Sequence, residues 1–194
     1  MEKFKVIETP IKGLIVIETK VFRDDRGFFI ESYNEREFKE IGLGIDFVQD
    51  NHSFSRKGVL RGLHFQLKHP QGKLVRVISG RVFDVAVDLR PNLPTFGKWY
   101  GVELSGENAL QFYIPPGFAH GFIALEENTH FLYKCTEFYY PNDEVGIIWN
   151  DLDLSIRWPI NQVEEIIISD KDKKLPTFRE VKDLLNKEES WRVL

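Results

Sequence analysis

Residues 47–149 form a series of short apolar segments, each interrupted by Gly, Pro or Asn. The interruptions include residues 79–80, 105–108 and 115–117. Strands at roughly ten-residue spacing with turn residues between them predict a β-sandwich or a β-barrel. The 16 Phe, 6 Tyr and 4 Trp among 194 residues agree with this, since rigid aromatic side chains favour sheets over helical bundles.

The flanking regions predict small additions to this β structure. Two strands are expected around a turn at residues 10–13, and a hairpin over residues 22–30. Helices are expected at residues 33–42, capped by Asn34, and at residues 177–186, where Thr177 and Glu180 have the spacing of a capping box. With no repeat or linker, we expect one domain over residues 1–194, its barrel core at about 45–150 and a C-terminal helical extension at about 176–194.

The charge balance and the single cysteine limit the classes of function. The chain has 26 Lys and Arg against 30 Asp and Glu, a net charge of −4, which disfavours nucleic-acid binding. The N-terminal residues do not resemble a signal peptide, and no segment approaches the roughly 18 apolar residues of a membrane span, so we expect a cytoplasmic protein. One cysteine, Cys135, excludes an intramolecular disulfide and a zinc site built from cysteines.

The segment Arg61-Gly62-Leu63-His64 places two chemically active side chains around a glycine within a predicted strand. Arg and His are suited to anion binding and proton transfer. Simple alternation would put Arg61 and His64 on opposite faces, so a shared site requires Gly62 to break the register. The alternative is an edge strand with polar residues facing solvent.

Lys73 and His120 are further candidates. Lys73 begins a strand face that continues with Val75 and Val77, where its ammonium either stabilises an oxyanion at the mouth of a barrel or reaches water. His120 follows a proline-rich turn whose spacing is similar to the second half of the cupin metal motif. The first half offers only His64 as an imidazole ligand, so we expect no metal and interpret His120 as a hydrogen-bonding group.

Tyrosines and aspartates complete the candidate set. Tyr133 and Tyr139 lie in an aromatic stretch where core packing is the ordinary interpretation, although a tyrosine facing a polar cavity can donate a proton or stack on a base. Asp170 and Asp172 follow the apolar run 166–168, and either carboxylate is placed to hold a histidine. The sequence alone does not choose between them. It contains no phosphate-binding glycine loop, dinucleotide fingerprint or serine elbow.

Ten ordered motifs between about residues 10 and 176 together resemble the dTDP-4-dehydrorhamnose 3,5-epimerase family. They include Asp25-x-Gly27-Phe28-Phe29-x-Glu31, Gln49-Asp50-Asn51, Arg61-Gly62-Leu63-His64-Phe65-Gln66, Ile114-Pro115-x-Gly117-Phe118-Ala119-His120 and Ser169-x-Lys171-Asp172. The resemblance implies an all-β jelly-roll (cupin) barrel, a homodimer, a dTDP-sugar substrate, and no metal or other cofactor.

The resemblance also implies roles for matched residues. His64 would be the proton-abstracting base, Asp172 its paired carboxylate, Tyr133 the acid on the opposite face of the sugar, and Lys73 the group beside the keto oxygen. The other matched positions would bind substrate. Tyr139 would stack on thymine, and the partner subunit would supply part of the nucleotide contacts. The substrate-binding positions are Arg26, Glu31, Gln49, Asp50, Asn51, Arg61, His120, Tyr139, Glu144 and Lys171.

The implied reaction inverts C3 and C5 of dTDP-4-dehydro-6-deoxy-D-glucose, a step of dTDP-L-rhamnose biosynthesis. Three alternatives remain: an epimerase acting at C3 or C5 only, a sugar-nucleotide-binding cupin without catalysis, and a metal-dependent cupin oxygenase or isomerase. The intact candidate catalytic residues argue against the second alternative, and the missing first-half metal ligands argue against the third.

Overall fold

The computed structural model describes residues 2–188, 191 and 194, which are mainly antiparallel strands. In chain order the strands and helices are β1 Phe4–Glu8, β2 Ile15–Thr19, β3 Val21–Asp24, β4 Gly27–Ile30, α1 Glu35–Glu40, β5 Gln49–Ser55, β6 Leu60–Gln66, β7 Lys73–Ser79, β8 Arg81–Asp88, β9 Trp99–Ser105, β10 Leu110–Ile114, β11 Phe118–Ala124, β12 Thr129–Cys135, β13 Glu144–Gly146 and α2 Phe178–Leu185. Single 3₁₀ turns cover Ile160–Gln162 and Asp172–Lys174.

Two antiparallel sheets pack face to face around one interior. Their strand orders are β1-β2-β10-β7-β12-β5 and β13-β6-β11-β8-β9, while β3 and β4 form a separate hairpin. Alternate residues of both sheets, among them Val75, Ala86, Phe112, Phe122 and Phe131, fill the space between them. Neighbouring strands are mostly far apart in sequence, as in a jelly roll, so the predicted all-β jelly-roll class is confirmed.

The outer face of the six-stranded sheet is covered in part, and that of the five-stranded sheet more fully. Helix α1 packs Phe38 edge-on against Phe4 outside the six-stranded sheet, with 4.8 Å between ring centroids. Helix α2 contributes Val181 and Leu185 to the cluster outside the five-stranded sheet, together with Trp191. Because both faces of the five-stranded sheet are buried, its central strands β8 and β11 are almost continuously buried.

The predicted helix caps are confirmed. The Asn34 side chain accepts hydrogen bonds from the N–H groups of Arg36 and Glu37, and Thr177 and Glu180 form the capping box. Both helices are short, and among the described residues none has the length and apolarity needed to cross a membrane.

Some strand boundaries differ from the sequence expectation. Within the series of short segments, the sequence predicts one strand over 130–139 and the next over 146–149. In the structure the first ends at Cys135 and the second covers Glu144–Gly146. The apolar run 166–168 forms only an isolated parallel bridge between Ile167 and Val59. The six-stranded sheet also takes in β1 and β2, which precede the expected barrel core at 45–150.

Candidate active site

A cavity of about 690 Å³ opens between the two sheets. It is lined by residues of β5, β6, β7, β11 and β12 and of the segments 139–144 and 167–172. Eleven of the fourteen predicted site residues lie on its wall: Gln49, Asn51, Arg61, His64, Lys73, His120, Tyr133, Tyr139, Glu144, Lys171 and Asp172. The jelly roll therefore brings together side chains that are more than one hundred residues apart.

Gly62 sets which side chains of β6 reach the cavity. The pairing of β6 with β11 shifts register between His120 and Phe122, and Gly62 has a φ of +104°. A Cβ atom at Gly62 would lie 2.6 Å from the His120 carbonyl oxygen, so only glycine fits there. The irregularity lets both Arg61 and His64 line the cavity, which confirms the predicted break in register.

His64 and Asp172 form a hydrogen-bonded pair. His64 Nε2 lies 2.8 Å from Asp172 Oδ1, and the Gly62 N–H donates to Oδ2 at 3.2 Å. Burial alone would raise the pKa of Asp172, but the His64 bond, the His64 charge and the Gly62 N–H outweigh it, and the pKa is lowered. The carboxylate is therefore ionised and holds the Nε2 proton, which leaves Nδ1 of His64 to accept another.

The structure also distinguishes the two candidate aspartates. Asp172 is buried, with 4% of its surface exposed. Asp170 is exposed and pairs with Lys173. Only Asp172 is positioned to act on His64.

Lys73 and Tyr133 enter the cavity from the other sheet. Burial raises the pKa of Tyr133 to about 12, so its phenol keeps its proton at neutral pH. Burial also lowers the pKa of Lys73. No hydrogen-bond acceptor for the Lys73 Nζ is found in the part of the chain that the structure describes. This wall of the cavity thus offers a protonated phenol and a lysine amine that has no hydrogen-bond partner among the described residues.

His120 has a partner that sequence reasoning missed. Its Nε2 lies 2.9 and 3.0 Å from the two carboxylate oxygens of Asp84, and both residues are buried. Burial lowers the pKa of His120, and Asp84 opposes this effect. An aspartate inside the apolar strand β8 was the available signal, because a buried carboxylate requires a partner.

One more polar group faces this space. Ser53 Oγ is buried and, among the described residues, has no hydrogen-bond partner. Ser53 lies on the cavity wall. A buried hydroxyl without a protein partner indicates that water or a ligand completes its hydrogen bonding.

The outer end of the cavity is polar and aromatic. Tyr139 is 46% exposed, and its N–H donates to Gln49 Oε1 at 2.9 Å. Lys171 forms an ion pair with Glu144, which raises the pKa of Lys171. A half-exposed aromatic ring near a lysine is suited to binding a nucleotide.

Three predicted site residues lie outside this cavity. Arg26 is at the tip of the β3–β4 hairpin, with its side chain 90% exposed and paired with Asp24. Glu31 binds Lys3 at 3.0 Å. Asp50 pairs with Lys134 on the outer face of the sheet, because alternation along β5 turns it away from Gln49 and Asn51.

The described residues contain no group of three or more His, Cys, Asp or Glu side chains that could hold a metal ion. His64 and His120 are Cα partners across β6 and β11, but each uses its Nε2 on a separate aspartate. The expected absence of a metal and of other cofactors stays a prediction.

Comparison with known proteins gives one consistent result. Residues 8–180 match the family described as dTDP-4-dehydrorhamnose 3,5-epimerase. The protein of that name from Methanothermobacter thermautotrophicus is 54% identical over 180 residues, which cover 93% of this chain and 97% of the relative. The one from Salmonella typhimurium is 56% identical over 173 residues, covering 88% and 93%.

A solved structure supports the same family. The crystal structure of dTDP-6-deoxy-D-glucose-3,5-epimerase from Legionella pneumophila, in complex with dTDP-4-keto-L-rhamnose, superposes with a TM-score of 0.89 at 49% identity and covers 94% of this chain and 96% of its own. The match in sequence and the match in fold both extend over most of the chain and include the cavity. This chain belongs to the dTDP-4-dehydrorhamnose 3,5-epimerase family of isomerases.

Proposed function

We propose that this chain inverts C3 and C5 of dTDP-4-dehydro-6-deoxy-D-glucose to give dTDP-4-dehydro-L-rhamnose. The observation that carries the proposal is the position of two groups in one cavity. A histidine held by an ionised aspartate enters from the five-stranded sheet, and a protonated tyrosine enters from the six-stranded sheet. Inversion at carbon requires a base and an acid on opposite sides of the sugar ring.

The first step is proton abstraction next to the C4 ketone. The ketone acidifies the protons at C3 and C5, yet each remains far less acidic than an imidazolium. A side-chain base in contact with the carbon is needed. His64 supplies it through Nδ1, and the Asp172 carboxylate stabilises the imidazolium that forms.

The electron pair left by the proton moves into the ketone as an enolate, with negative charge on O4. Lys73 is the cation that meets this charge, since its buried ammonium has no acceptor among the described residues. In a cavity that excludes water, one such donor is typically worth about 3–4 kcal/mol of barrier.

The second step returns a proton to the same carbon from the opposite side. Tyr133 donates it, and the enolate electron pair forms the new C–H bond as the ketone is restored. His64 then loses its proton to water and Tyr133 regains one. The substrate is neither oxidised nor reduced, and the cycle repeats at the second carbon.

The remaining cavity residues bind the ligand in this proposal. Tyr139 stacks on thymine, Arg61 and Lys171 neutralise the diphosphate, and His120, oriented by Asp84, contacts the sugar. Gln49, Asn51 and Glu144 supply further polar contacts. A few cations in the cavity are enough to bind this anionic ligand, although the chain as a whole is acidic. The net charge of −4 still disfavours nucleic-acid binding. A cytoplasmic location is part of the proposal.

We propose a homodimer as well, because Arg26 and Glu31 lie outside the cavity of their own chain. The exposed hairpin that carries Arg26 also exposes Phe28 and Phe29, at 60% and 65%. A second copy receiving this hairpin would cover these rings and place Arg26 and Glu31 at the nucleotide. Asp50 would contact the ligand only through its backbone or from the other copy.

The deciding experiment follows the dehydro-sugar nucleotide by NMR in deuterated buffer with the purified chain. We expect deuterium at both C3 and C5 and the L-rhamno product. Exchange and inversion at one carbon only would identify a mono-epimerase, and no exchange at either carbon would identify a binding protein. Near-wild-type exchange in His64→Ala would exclude His64 as the base.

A further inference from the structure

The segment 138–140, which carries Tyr139, is not part of any strand. It lies between the end of β12 and the start of β13, so no ladder of backbone hydrogen bonds holds it. Tyr139 stands there with nearly half of its surface exposed. The direction of its ring therefore depends on whatever fixes the backbone on either side of it.

Gln49 accepts from the Tyr139 N–H itself, and Gln66 attaches the residues on both sides of it. Gln66 Nε2 donates to the Phe138 carbonyl at 3.0 Å, and its Oε1 accepts from the Tyr140 N–H at 2.7 Å. The second Nε2 hydrogen goes to the His69 carbonyl at 2.7 Å. One side-chain amide thus binds the backbone immediately before and immediately after Tyr139, as a neighbouring strand would.

The environment of Gln66 makes these bonds specific. The residue lies at the end of β6 and is 3% exposed. A buried amide is costly unless its donors and acceptor are paired, and here both donors and the acceptor are paired with backbone groups. Gln66 joins two parts of the chain that are more than seventy residues apart.

We propose that Gln66 is a positioning residue for nucleotide recognition, which acts by fixing the backbone of Tyr139 so that its ring is presented to the base before the ligand arrives. This rests on the proposed function, in which Tyr139 stacks on thymine. A ring that is already held loses less conformational entropy on binding. Gln66 does not line the cavity, so its effect on the ligand passes through Tyr139.

The test measures dTDP binding by calorimetry in a double-mutant cycle of Gln66→Met and Tyr139→Ala. Met keeps the length of Gln and removes its hydrogen bonds. We expect Gln66→Met to raise the Kd for dTDP by about tenfold. In the Tyr139→Ala background the same change should alter Kd by less than about twofold, because the ring it positions is gone.

Steady-state kinetics separates positioning from general damage. We expect Gln66→Met to raise KM while kcat stays within about threefold, since the catalytic side chains keep their contacts. Thr129→Val is the matched control: it removes another buried side-chain hydrogen bond to a carbonyl, that of Glu126, away from the cavity. It should leave both the dTDP Kd and KM unchanged.

Equal effects of Gln66→Met in both backgrounds would overturn the proposal, as would an unchanged Kd in folded Gln66→Met. If Gln66→Met does not fold, Gln66→Glu replaces it in the same cycle, because Glu keeps the acceptor for Tyr140 and loses the amide donors. Failure of the proposed function would give a different result, because the wild-type chain itself would then show no dTDP binding or no turnover.

Discussion

Burial alone would raise the pKa of both Asp172 and Tyr133, yet the two groups end in opposite protonation states. Hydrogen bonds from His64 and from the Gly62 N–H outweigh burial at Asp172, so its pKa falls. At Tyr133 burial prevails and the pKa rises to about 12. The cavity therefore holds an ionised carboxylate paired with His64 and a protonated phenol on the other sheet, which is the arrangement that the proposed inversion requires.

Tyr133→Phe removes the proposed acid and leaves the base in place. We expect product formation to fall by at least about 10²-fold, while deuterium exchange at C3 and C5 retains a larger share of its rate. NMR in deuterated buffer measures both quantities on one sample. Equal loss of exchange and product would contradict the acid role. In the wild type, loss of the Tyr133 proton should not lower kcat until the pH approaches about 12.

Lys73→Met is expected to make the chain more stable and nearly inactive. Burial lowers the Lys73 pKa in the folded state, so the unfolded chain binds this proton more tightly. The ammonium therefore opposes folding at neutral pH, and the cost fades only as the pH rises toward the ordinary lysine pKa. Removing it should raise Tm by about 2–4 °C for each kcal/mol relieved, and lower kcat by about 10²–10³.

Differential scanning calorimetry at neutral pH measures this gain. Lys98→Met is the matched control, because it makes the same change in net charge at an exposed lysine outside the cavity. Its Tm and kcat should stay at the wild-type values. A lower Tm for Lys73→Met would show that the ammonium stabilises the fold instead.

The sequence predicts elements where their ends are marked locally. Asn34 and Thr177 identified helix starts because a capping residue acts on its own turn. The end of β12 at Cys135 was not predictable in this way. Beyond it, the aromatic stretch continues, and it leaves the sheet because distant glutamine side chains bind its backbone.

Strand alternation has a similar limit. It predicts that Asp50 faces away from Gln49 and Asn51, but it does not say which side of β5 faces the cavity. It also leaves Arg61 and His64 on opposite faces, and only the irregularity at Gly62 resolves this. Contacts between distant parts of the chain, such as that of His64 in β6 with Asp172 in a 3₁₀ turn, are found only from the three-dimensional structure or implied by a family resemblance.

Gly62→Ala tests whether this irregularity builds the site. A Cβ at Gly62 meets the His120 carbonyl at 2.6 Å, and the φ of +104° is unfavourable for any side chain. We expect the free energy of unfolding to fall by about 1–3 kcal/mol or more, and the activity to fall strongly. Gly42→Ala is the control, because Gly42 has a φ of +84° with nothing within 4 Å of the added Cβ.

In the control, strain alone should cost about 1–2 kcal/mol and leave kcat unchanged. Denaturant unfolding and deuterium exchange measure both variants. If Gly62→Ala keeps wild-type activity at a similar loss of stability, then close packing of β6 on β11 is not needed to place His64.

At the scale of the chain, the two sheets carry different side chains of the candidate site. The five-stranded sheet carries His64 and His120, and the six-stranded sheet carries Lys73 and Tyr133. The proposed base and the proposed acid therefore lie on opposite walls of the cavity. The same fold leaves the β3–β4 hairpin outside both sheets, with Arg26 at its tip and away from the cavity that holds His64.

Mixed dimers test whether this hairpin completes a second copy's cavity. Arg26→Ala damages the hairpin and His64→Ala damages the cavity. If the hairpin acts across the interface, a dimer of one chain of each kind contains one site with an intact cavity and an intact hairpin. Co-expression with two affinity tags and purification on both isolates this species. We expect about half of the wild-type kcat per dimer, although each parent variant alone is strongly impaired.

The control pairs two defects that lie in the same cavity. A mixed dimer of His64→Ala and Asp172→Asn has no intact site whichever chain supplies the hairpin, because His64 and Asp172 are held together within one chain. It should show no recovery. If the Arg26→Ala and His64→Ala pair also shows none, the hairpin serves its own chain or no site. Recovery only in that pair would assign Arg26 to the partner's nucleotide site and make the dimer the active unit.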